Sequence, residues 1–291
     1  MTGDPVPELS VVVPARDAAA TIDGQLEALL AEEWDRPWEI VVVDNGSRDA
    51  TKAIVDRYVA RDPRVRRVDA SDRHGVSHTR NVGLAAARAD SVAMCDADDV
   101  IASGWVRAMG TALHDHEFVT GPLDVDRLNP AWVAESRGRA IETGPGDFHG
   151  VFPFAHSCNL GVRKATVTRC GGFDERLSTG EDIELSFRLW RAGVPLLYVP
   201  AAVVHYRYRT TMGGLWHQSR AHARVSPWLE QEVRDAGVAL PADHEWRRWL
   251  WLGRHGGLLT SRPGRAYWVT VAGGRVGRLE GRWRNWRGTA A

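Results

Sequence analysis

The chain has 291 residues, of which 44% are hydrophobic, enough to fill a sizeable core, so a mainly disordered chain is excluded. Its 37 lysines and arginines balance 37 aspartates and glutamates, and this zero net charge gives no reason to expect nucleic acid as a partner. The three cysteines are an odd number without CxxC spacing, which disfavours a structural zinc site and fits a reducing cytosol.

Four short β-branched runs in the first half each end at polar or proline residues, and helical stretches lie between them. The predicted strands are Leu9–Val13, Glu39–Val43, Val65–Val68 and Ser91–Cys95. Such alternation is typical of a mostly parallel sheet covered by helices. Because open α/β sheets bind ligands at the carboxyl ends of their strands, Asp44 and Asp96 are predicted to lie where a ligand would sit.

The next part of the chain is less regular. From about Val119 to His156, repeated glycines and prolines predict loops around short elements, and substrate-binding loops could lie there. A helix is then predicted from about Asp182 to Ala192, closed by Gly193. A strand from Val194 to about Tyr206 is predicted to follow it.

The composition changes beyond Met212. This last part holds eight of the 13 tryptophans, and from Arg254 onward eight arginines face one acidic residue, Glu280. We therefore predict an α/β domain over residues 1–210 and a Trp- and Arg-rich helical extension over 211–291.

Residues 246–287 of this extension allow two interpretations. Their tryptophans, Trp246, Trp249, Trp251 and Trp268, could sit at a membrane surface while the arginines meet anionic lipid or a lipid-phosphate acceptor. Alternatively, the extension packs on the α/β domain, which the usual role of large aromatic residues in cores and interfaces favours.

No segment indicates secretion or membrane spanning. Residues 1–10 lack the basic start and the apolar run of a signal peptide, and nowhere do about 18 consecutive apolar residues occur. We expect a cytoplasmic protein, with peripheral contact to the inner face of the membrane as a second option.

An acidic segment, Cys95-Asp96-Ala97-Asp98-Asp99, follows the fourth predicted strand. Alternate side chains of an extended segment project the same way, so Asp96 and Asp98 could grip a divalent cation that bridges a diphosphate. Taken alone this pattern is weak evidence, because acidic loops at strand ends are common without a metal.

Five segments occur in a recognisable order and at plausible spacing. They are VVVPARDAAATI (11–22), VVVDNGSRDAT (41–51), SHTRNVGLAAARAD (77–90), MCDADD (94–99) and GGFDERLSTGED (171–182). With them the chain resembles the inverting family 2 glycosyltransferases over roughly residues 9–208. The resemblance implies a GT-A type α/β fold, a mostly parallel sheet sandwiched by helices, with a nucleotide-binding half at about 9–115 and an acceptor and catalytic half at about 116–210.

The resemblance also implies a donor site. Asp44 would accept a hydrogen bond from the base, although the DNGS segment is a good turn in any protein. Arg80 would lie on a helix facing the nucleotide, with a structural ion pair as the alternative. The residues implied to bind the donor are Pro14, Ala15, Arg16, Asp44, Arg80, Asn81 and Asp96.

Metal and catalytic roles are implied for a second set. Asp96, Asp98 and His205 would hold Mn²⁺ or Mg²⁺, although His205 could equally be a structural histidine. Asp182, beside Glu181 at a helix start, would be the general base, and we expect it to be ionised at neutral pH because helix N-termini favour negative charge. Plain helix capping is the alternative.

The predicted helix that begins with Glu181 and Asp182 carries Ile183, Phe187 and Trp190 at positions i, i+4 and i+7, so we expect this apolar stripe to anchor the two carboxylates.

The predicted reaction is transfer of a sugar from a nucleoside diphosphate donor, with a UDP-sugar as the default, to an acceptor. No QxxRW motif is present, which favours transfer of one or few sugars. A sugar-nucleotide nucleotidyltransferase is disfavoured because residues 14–19 lack the glycine-rich loop it needs. A binding module without catalysis is the other alternative. The acceptor stays open: a saccharide, a lipid carrier, a peptide or a small natural product.

Overall fold

The computed structural model describes residues 6–138, 143–242 and 245–288, with side chains to residue 283. Within these residues, the chain forms two compact units. One holds residues 6–124, 143–148 and 152–206, and the other holds 125–138, 149–151, 207–242 and 245–288. The predicted boundary near residue 210 stays a prediction. Parts of the two predicted domains lie outside the described residues, namely 1–5, 139–142, 243–244 and 289–291.

The elements of the first unit alternate strands and helices. The strands are β1 (Leu9–Ala15), β2 (Trp38–Asp44), β3 (Val65–Asp69), β4 (Ser91–Met94), β5 (Val100–Ile101), β6 (Phe118–Thr120), β7 (Leu123–Asp124), β8 (Gly146–Phe148), β9 (Phe152–Phe154), β10 (Leu160–Arg163), β11 (Leu197–Tyr198) and β12 (Val204–His205). The helices are α1 (Ile22–Leu30), α2 (Thr51–Arg61), α3 (Val76–Ala86), α4 (Trp105–Asp115), α6 (Lys164–Arg169) and α7 (Glu181–Arg191), with α5 (Ala131–Arg137) in the second unit.

Seven of the described strands form the central sheet in the order β11-β6-β10-β4-β1-β2-β3. β4, β1, β2 and β3 are parallel to one another, and β10 is antiparallel to both β4 and β6. A smaller sheet has the order β5-β12-β7, and β8 and β9 form a hairpin. The four predicted strands are thus confirmed as β1 to β4.

Helices cover both faces of the central sheet. Because alternate residues of a strand point to opposite faces, Val11 and Val13 of β1 join one hydrophobic core and Val12 joins another. Helices α1, α2 and α4 close the first core, and α3, α6 and α7 close the second. This arrangement confirms the predicted α/β sandwich.

The strand predicted from Val194 to Tyr206 is wrong. The segment forms two short strands, β11 and β12, which belong to different sheets. A turn at Pro200 separates them, and proline cannot donate the backbone hydrogen bond that a continuous strand needs there.

The second unit is helical, as predicted for the extension. Besides α5 it contains α8 (Met212–Asp235), α9 (Glu245–Arg254) and α10 (Arg262–Gly288). Three glycines of α10, at 273, 277 and 281, approach the backbone oxygens of Trp216, Arg220 and Arg224 in α8 so closely that a Cβ would come within 3.0 Å. These pairs advance together along both helices, so α8 and α10 run parallel.

Buried ion pairs add to this packing. Arg278 bonds Glu230 of α8 and Glu245 of α9, and Glu245 also bonds Arg275. Among the described residues, no helix combines the length and the apolarity needed to cross a bilayer.

Candidate active site

The carboxyl edge of the central sheet gathers residues predicted to bind the donor. In the parallel register, Ala15 at the end of β1 lies beside Asp44 at the end of β2, which lies beside Asp69 at the end of β3. β4 runs parallel to β1 on its other side, so Asp96, just beyond β4, leaves the same edge. Because the four strands pair in parallel, the polar residues that follow each of them meet at the same edge of the sheet.

Asp44 is the most buried member of this edge, with no exposed surface. Its carboxylate accepts hydrogen bonds from the Ser47 backbone N–H at 3.3 and 3.4 Å and lies 3.5 Å from the Lys52 ammonium. These bonds belong to the turn that was the alternative interpretation. Pro14 is half-buried and Arg16 is exposed. Contact of these residues with a nucleobase stays a prediction.

Asn45, which the sequence marked only as a turn former, organises the loop before α3. Its Nδ2 donates to the carbonyls of Ala70 at 2.5 Å and Arg73 at 2.8 Å, and its Oδ1 accepts from the Gly75 N–H at 3.0 Å. The 70–75 loop is therefore tied to the end of β2. Nothing local in the sequence indicates these bonds, because the partners are 25 to 30 residues away.

Arg80 of α3 joins two parts of the site. Its guanidinium donates to Asp96 at 2.9 Å and to Glu181, the first residue of α7, at 2.5 Å. The side chain is only 2% exposed, and its Nε has no hydrogen-bond partner among the described residues. Arg80 therefore forms the structural ion pair left open by the sequence, and a contact with the nucleotide stays a prediction.

Asn81, the next residue, turns to the loop before α7. Its side chain donates to the Phe173 carbonyl and the Glu175 carboxylate and accepts from the Phe173 N–H. Gly172, in the left-handed region at φ 76°, lies against this amide. Asn81 thus holds the loop that leads to Asp182, and its contact with the nucleotide stays a prediction.

Asp182 lies in the first turn of α7, after Gly180 at φ 74°. Its carboxylate accepts hydrogen bonds from the backbone N–H groups of Ile183 at 2.8 Å and Ser157 at 3.2 Å. Burial raises the pKa of Asp182 above that of an ordinary aspartate, against the lowering effect of the Ser157 N–H and of Arg80. The side chain is half-buried, and a partly accessible carboxylate whose pKa is raised is suited to accept a proton.

The acidic segment offers two carboxylates to a cation. Oxygens of Asp96 and Asp99 and the sulfur of Cys158 lie within 4.8 Å of one another. Burial, followed by the charges of Asp99 and Asp96, raises the pKa of the Cys158 thiol well above its usual range, so the sulfur stays protonated. The two carboxylates therefore fit a hard divalent cation such as Mn²⁺ or Mg²⁺, and the thiol does not.

The other two predicted ligands, Asp98 and His205, stay predictions. In the smaller sheet His205 of β12 pairs with Val100 of β5, which directly follows Asp99, and with Asp124 of β7. Its Nδ1 lies 2.5 Å from an Asp124 oxygen. A carboxylate at Nδ1 fixes the tautomer in which Nε2 carries the lone pair, which is the arrangement typical of metal-binding histidines. Asp124 was not foreseen from the sequence.

Comparisons with known proteins agree with this architecture. A family model described as glycosyl transferase family 2 matches residues 10–167, more than half of the chain. The chain belongs to glycosyl transferase family 2. A model described as glycosyl transferase family group 2 matches residues 91–273 and so reaches into the helical unit.

Relatives in this family include two bacterial proteins. A pre-mycofactocin glycosyltransferase of Mycobacterium tuberculosis is 27% identical over 242 residues, 80% of this chain and 47% of the relative. The succinoglycan biosynthesis protein ExoO of Rhizobium meliloti is 40% identical over 225 residues, 71% of this chain and 62% of the relative. The matches thus span less than two thirds of either relative.

A solved structure is also similar. The mannosyltransferase PcManGT from Pyrobaculum calidifontis, solved with GDP-Man and Mn²⁺, superposes with a TM-score of 0.65 over 96% of this chain and 88% of that chain. At 20% identity, this likeness establishes the shared GT-A type fold.

Proposed function

We propose that the protein is a glycosyltransferase that moves a sugar from a nucleoside diphosphate donor to an acceptor with inversion of the anomeric centre. Membership of family 2 and the named glycosyltransferase among its relatives support the activity. The observation that carries the proposal is the Arg80 bridge, which ties Asp96 at the donor edge to the start of α7, where Asp182 lies.

Asp182 is the proposed general base. As the acceptor oxygen attacks the anomeric carbon, Asp182 takes the hydroxyl proton, and the bond from that carbon to the phosphate oxygen breaks. The nucleoside diphosphate leaves with the electron pair, and the single displacement inverts the centre. Glu181 supports this step through Arg80, because their ion pair holds the first turn of α7 against the donor edge.

A divalent cation, Mn²⁺ or Mg²⁺, is the proposed cofactor. Asp96 and Asp99 would hold it, with Asp98 and His205 as further ligands. When bound, such a cation stabilises the charge that develops on the departing diphosphate. The Mn²⁺ solved with the mannosyltransferase neighbour supports this choice.

The donor is proposed to be a UDP-sugar, from the Asp44 and acidic-segment pattern. The mannosyltransferase neighbour was solved with GDP-Man, so the guanosine donors are the first competitors. We further propose that the protein works in the cytoplasm and transfers one or few sugars. The acceptor is a saccharide, a lipid carrier, a peptide or a small natural product.

Thermal stabilisation by nucleoside diphosphates tests the donor site. A ligand that binds only the folded state raises the melting temperature, so UDP, GDP, dTDP and ADP are each added with and without Mn²⁺. We expect a metal-dependent rise with UDP. If no diphosphate raises the melting temperature under any condition, the transferase proposal fails. The alternative, a binding module without catalysis, then replaces it.

An Asp182→Asn variant tests the base. Without a known acceptor, release of nucleoside diphosphate from the donor is the readout, and we expect a loss of about 10²- to 10⁴-fold. Nucleotide stabilisation should persist. Asp56→Asn, the same change at an exposed residue of α2, is the control and should keep the full rate. If the Asp182→Asn protein is as active as this control, then Asp182 is not the general base.

A further inference from the structure

Helix α9 has an apolar face that is exposed within its own unit. Trp246, Trp249 and Leu250 stand at positions i, i+3 and i+4, so they share one side of the helix. Trp246 is 60% exposed and Leu250 46% exposed. Gly253, at i+7, continues the face, and an added Cβ there would meet nothing within 4 Å. We call these four residues the α9 stripe.

The opposite side of α9 is the one that packs. Leu252 is buried, and its carbonyl accepts a hydrogen bond from the indole of Trp268 in α10. Trp251 stacks on His255 and meets Tyr267 edge-on. Trp251 and Trp268 therefore pack inside the helical unit, whereas Trp246 and Trp249 contribute to the exposed face. Packing of the extension on the α/β domain stays a prediction.

The surroundings of the stripe are cationic. Residues 245–265 contain five arginines and a single carboxylate, Glu245, which is already paired with Arg275 and Arg278. Arg247 and Arg254 are seven residues apart, so both flank the same edge of the stripe. The Arg247 guanidinium lies 5.5 Å from the centre of the Trp246 ring.

We propose that the α9 stripe is a docking surface for an anionic lipid bilayer. Tryptophan combines an apolar ring with an N–H donor and prefers the membrane interface, where an in-plane helix buries its apolar face. Arginines beside that face meet the anionic headgroups, which a neutral protein surface or a second copy of this basic segment would not supply. The surface needs no transferase activity and stands independently of it.

Vesicle co-sedimentation of the full chain tests this surface. Vesicles of phosphatidylcholine alone are compared with vesicles that also contain phosphatidylglycerol, at low and high salt. We expect binding to the anionic vesicles that weakens with salt, because screening reduces the arginine contribution. The triple variant Trp246→Ser/Trp249→Ser/Leu250→Ser should bind at least about tenfold more weakly, since it loses most of the inserted apolar area.

Charge is tested separately. Arg247→Gln/Arg254→Gln should weaken binding to anionic vesicles by about tenfold or more, because each interfacial arginine contributes to attraction. Matched controls in the other unit are Val6→Ser/Val59→Ser for the apolar change and Arg57→Gln/Arg169→Gln for the charge, all at exposed positions. Melting temperatures confirm that every variant is folded.

Two results would overturn the proposal. One is equal absence of binding to both vesicle types. The other is a triple variant that binds as well as its Val6→Ser/Val59→Ser control. If the chain instead forms a dimer in sedimentation velocity that the triple variant abolishes, without vesicle binding, then a second copy of the chain occupies the stripe.

Discussion

Glu181 and Asp182 are neighbours in the sequence, yet their carboxylates have different partners. Glu181 accepts from the Arg80 guanidinium and the Ser157 hydroxyl, whereas Asp182 accepts from the backbone N–H groups of Ser157 and Ile183. Burial raises the pKa of both groups, and the charge of Asp182 raises that of Glu181 further. Because the charge of one carboxyl affects the pKa of the other, the two titrate as a pair, and an acid limb in the pH dependence of the rate would belong to both.

The rate of transfer should depend on pH accordingly. A base works only when deprotonated, so kcat falls as the pH drops through the pKa of the pair. Because burial raises that pKa, we expect the acid limb above the value of about 3.9 that is typical of a free aspartate. Measurement of kcat against pH, with circular dichroism to exclude acid unfolding, checks it. A rate that stays flat down to that value would contradict the prediction.

The pair of His205 and Asp124 gives a prediction about the metal. Asp124→Asn removes the carboxylate that orients the imidazole, and loss of such a partner typically weakens metal affinity about 10- to 100-fold. We therefore expect a higher Mn²⁺ concentration for half-maximal activity, with little change in kcat at saturating metal.

A matched control exists on the surface. His114 and Asp115 form a similar contact at 2.9 Å, with both side chains exposed. Asp115→Asn should leave the Mn²⁺ titration unchanged. If Asp124→Asn and Asp115→Asn give the same titration, His205 does not act on the metal.

At the scale of elements, α7 is anchored by two faces, of which the sequence predicted only one. Leu185 and Leu189 are completely buried and join the core on that side of the sheet, whereas Trp190 is 38% exposed. Trp190 stacks on Phe152 of the β8–β9 hairpin at 5.8 Å. The helix therefore packs against the central sheet on one side and against the hairpin on another. An apolar stripe in the sequence does not show which of these two neighbours it faces.

The parallel packing of α8 and α10 gives a stability prediction. In Gly277→Ala the new methyl group would meet the Arg220 carbonyl of α8, a backbone atom that cannot move aside alone. We expect the free energy of unfolding to fall by about 1–3 kcal/mol, as for other overpacked contacts. Urea unfolding of the variant and the wild type measures it.

Gly274 of the same helix is the control. An alanine Cβ there would lie 3.4 Å from the Ser219 hydroxyl and 4.0 Å from the Ala223 Cβ, both side-chain atoms at ordinary contact distance. Gly274→Ala should therefore be neutral or stabilising by up to about 1 kcal/mol, because alanine favours a helix over glycine. Equal destabilisation by both substitutions would show that backbone approach does not decide the effect.

At the scale of the whole molecule, the helical unit depends on a buried carboxylate. Burial would raise the pKa of Glu230, but hydrogen bonds from His149 and Arg278 outweigh it and lower the pKa from 4.5 to about 2. A depression of this size corresponds to about 3 kcal/mol. Because the folded pKa is lowered, this stability is present above pH 4.5 and is lost as the pH falls toward 2.

Glu230→Gln tests that linkage. At neutral pH the free energy of unfolding of the variant should be about 3 kcal/mol lower than that of the wild type. The difference between the two should shrink as the pH falls. Urea unfolding at several pH values measures both. Glu232→Gln, an exposed change on the same helix, should stay within about 0.5 kcal/mol of the wild type throughout. A difference that is constant with pH would refute the linkage.

The amino-acid sequence by itself determined the first four strands, the position of α7 and the helical character of the C-terminal part. These follow from local signals: β-branched runs, helical periodicity and the glycine and proline residues between them. The family, and with it the expected site residues, also followed from short contiguous segments such as 41–51 and 94–99.

Only the tertiary structure decided how those residues are connected. Arg80 meets Glu181 across 101 residues, and His205 meets Asp124 across 81. The strands that carry His205 and Asp124 are two residues long, too short to show any period, so only pairing between them places these side chains together. Likewise, the sequence does not show which side of α9 is exposed. The contact between Leu252 and Trp268 of α10 decides this, because it buries the other side of the helix. Contacts between distant segments have no local signal, because they depend on how whole elements pack.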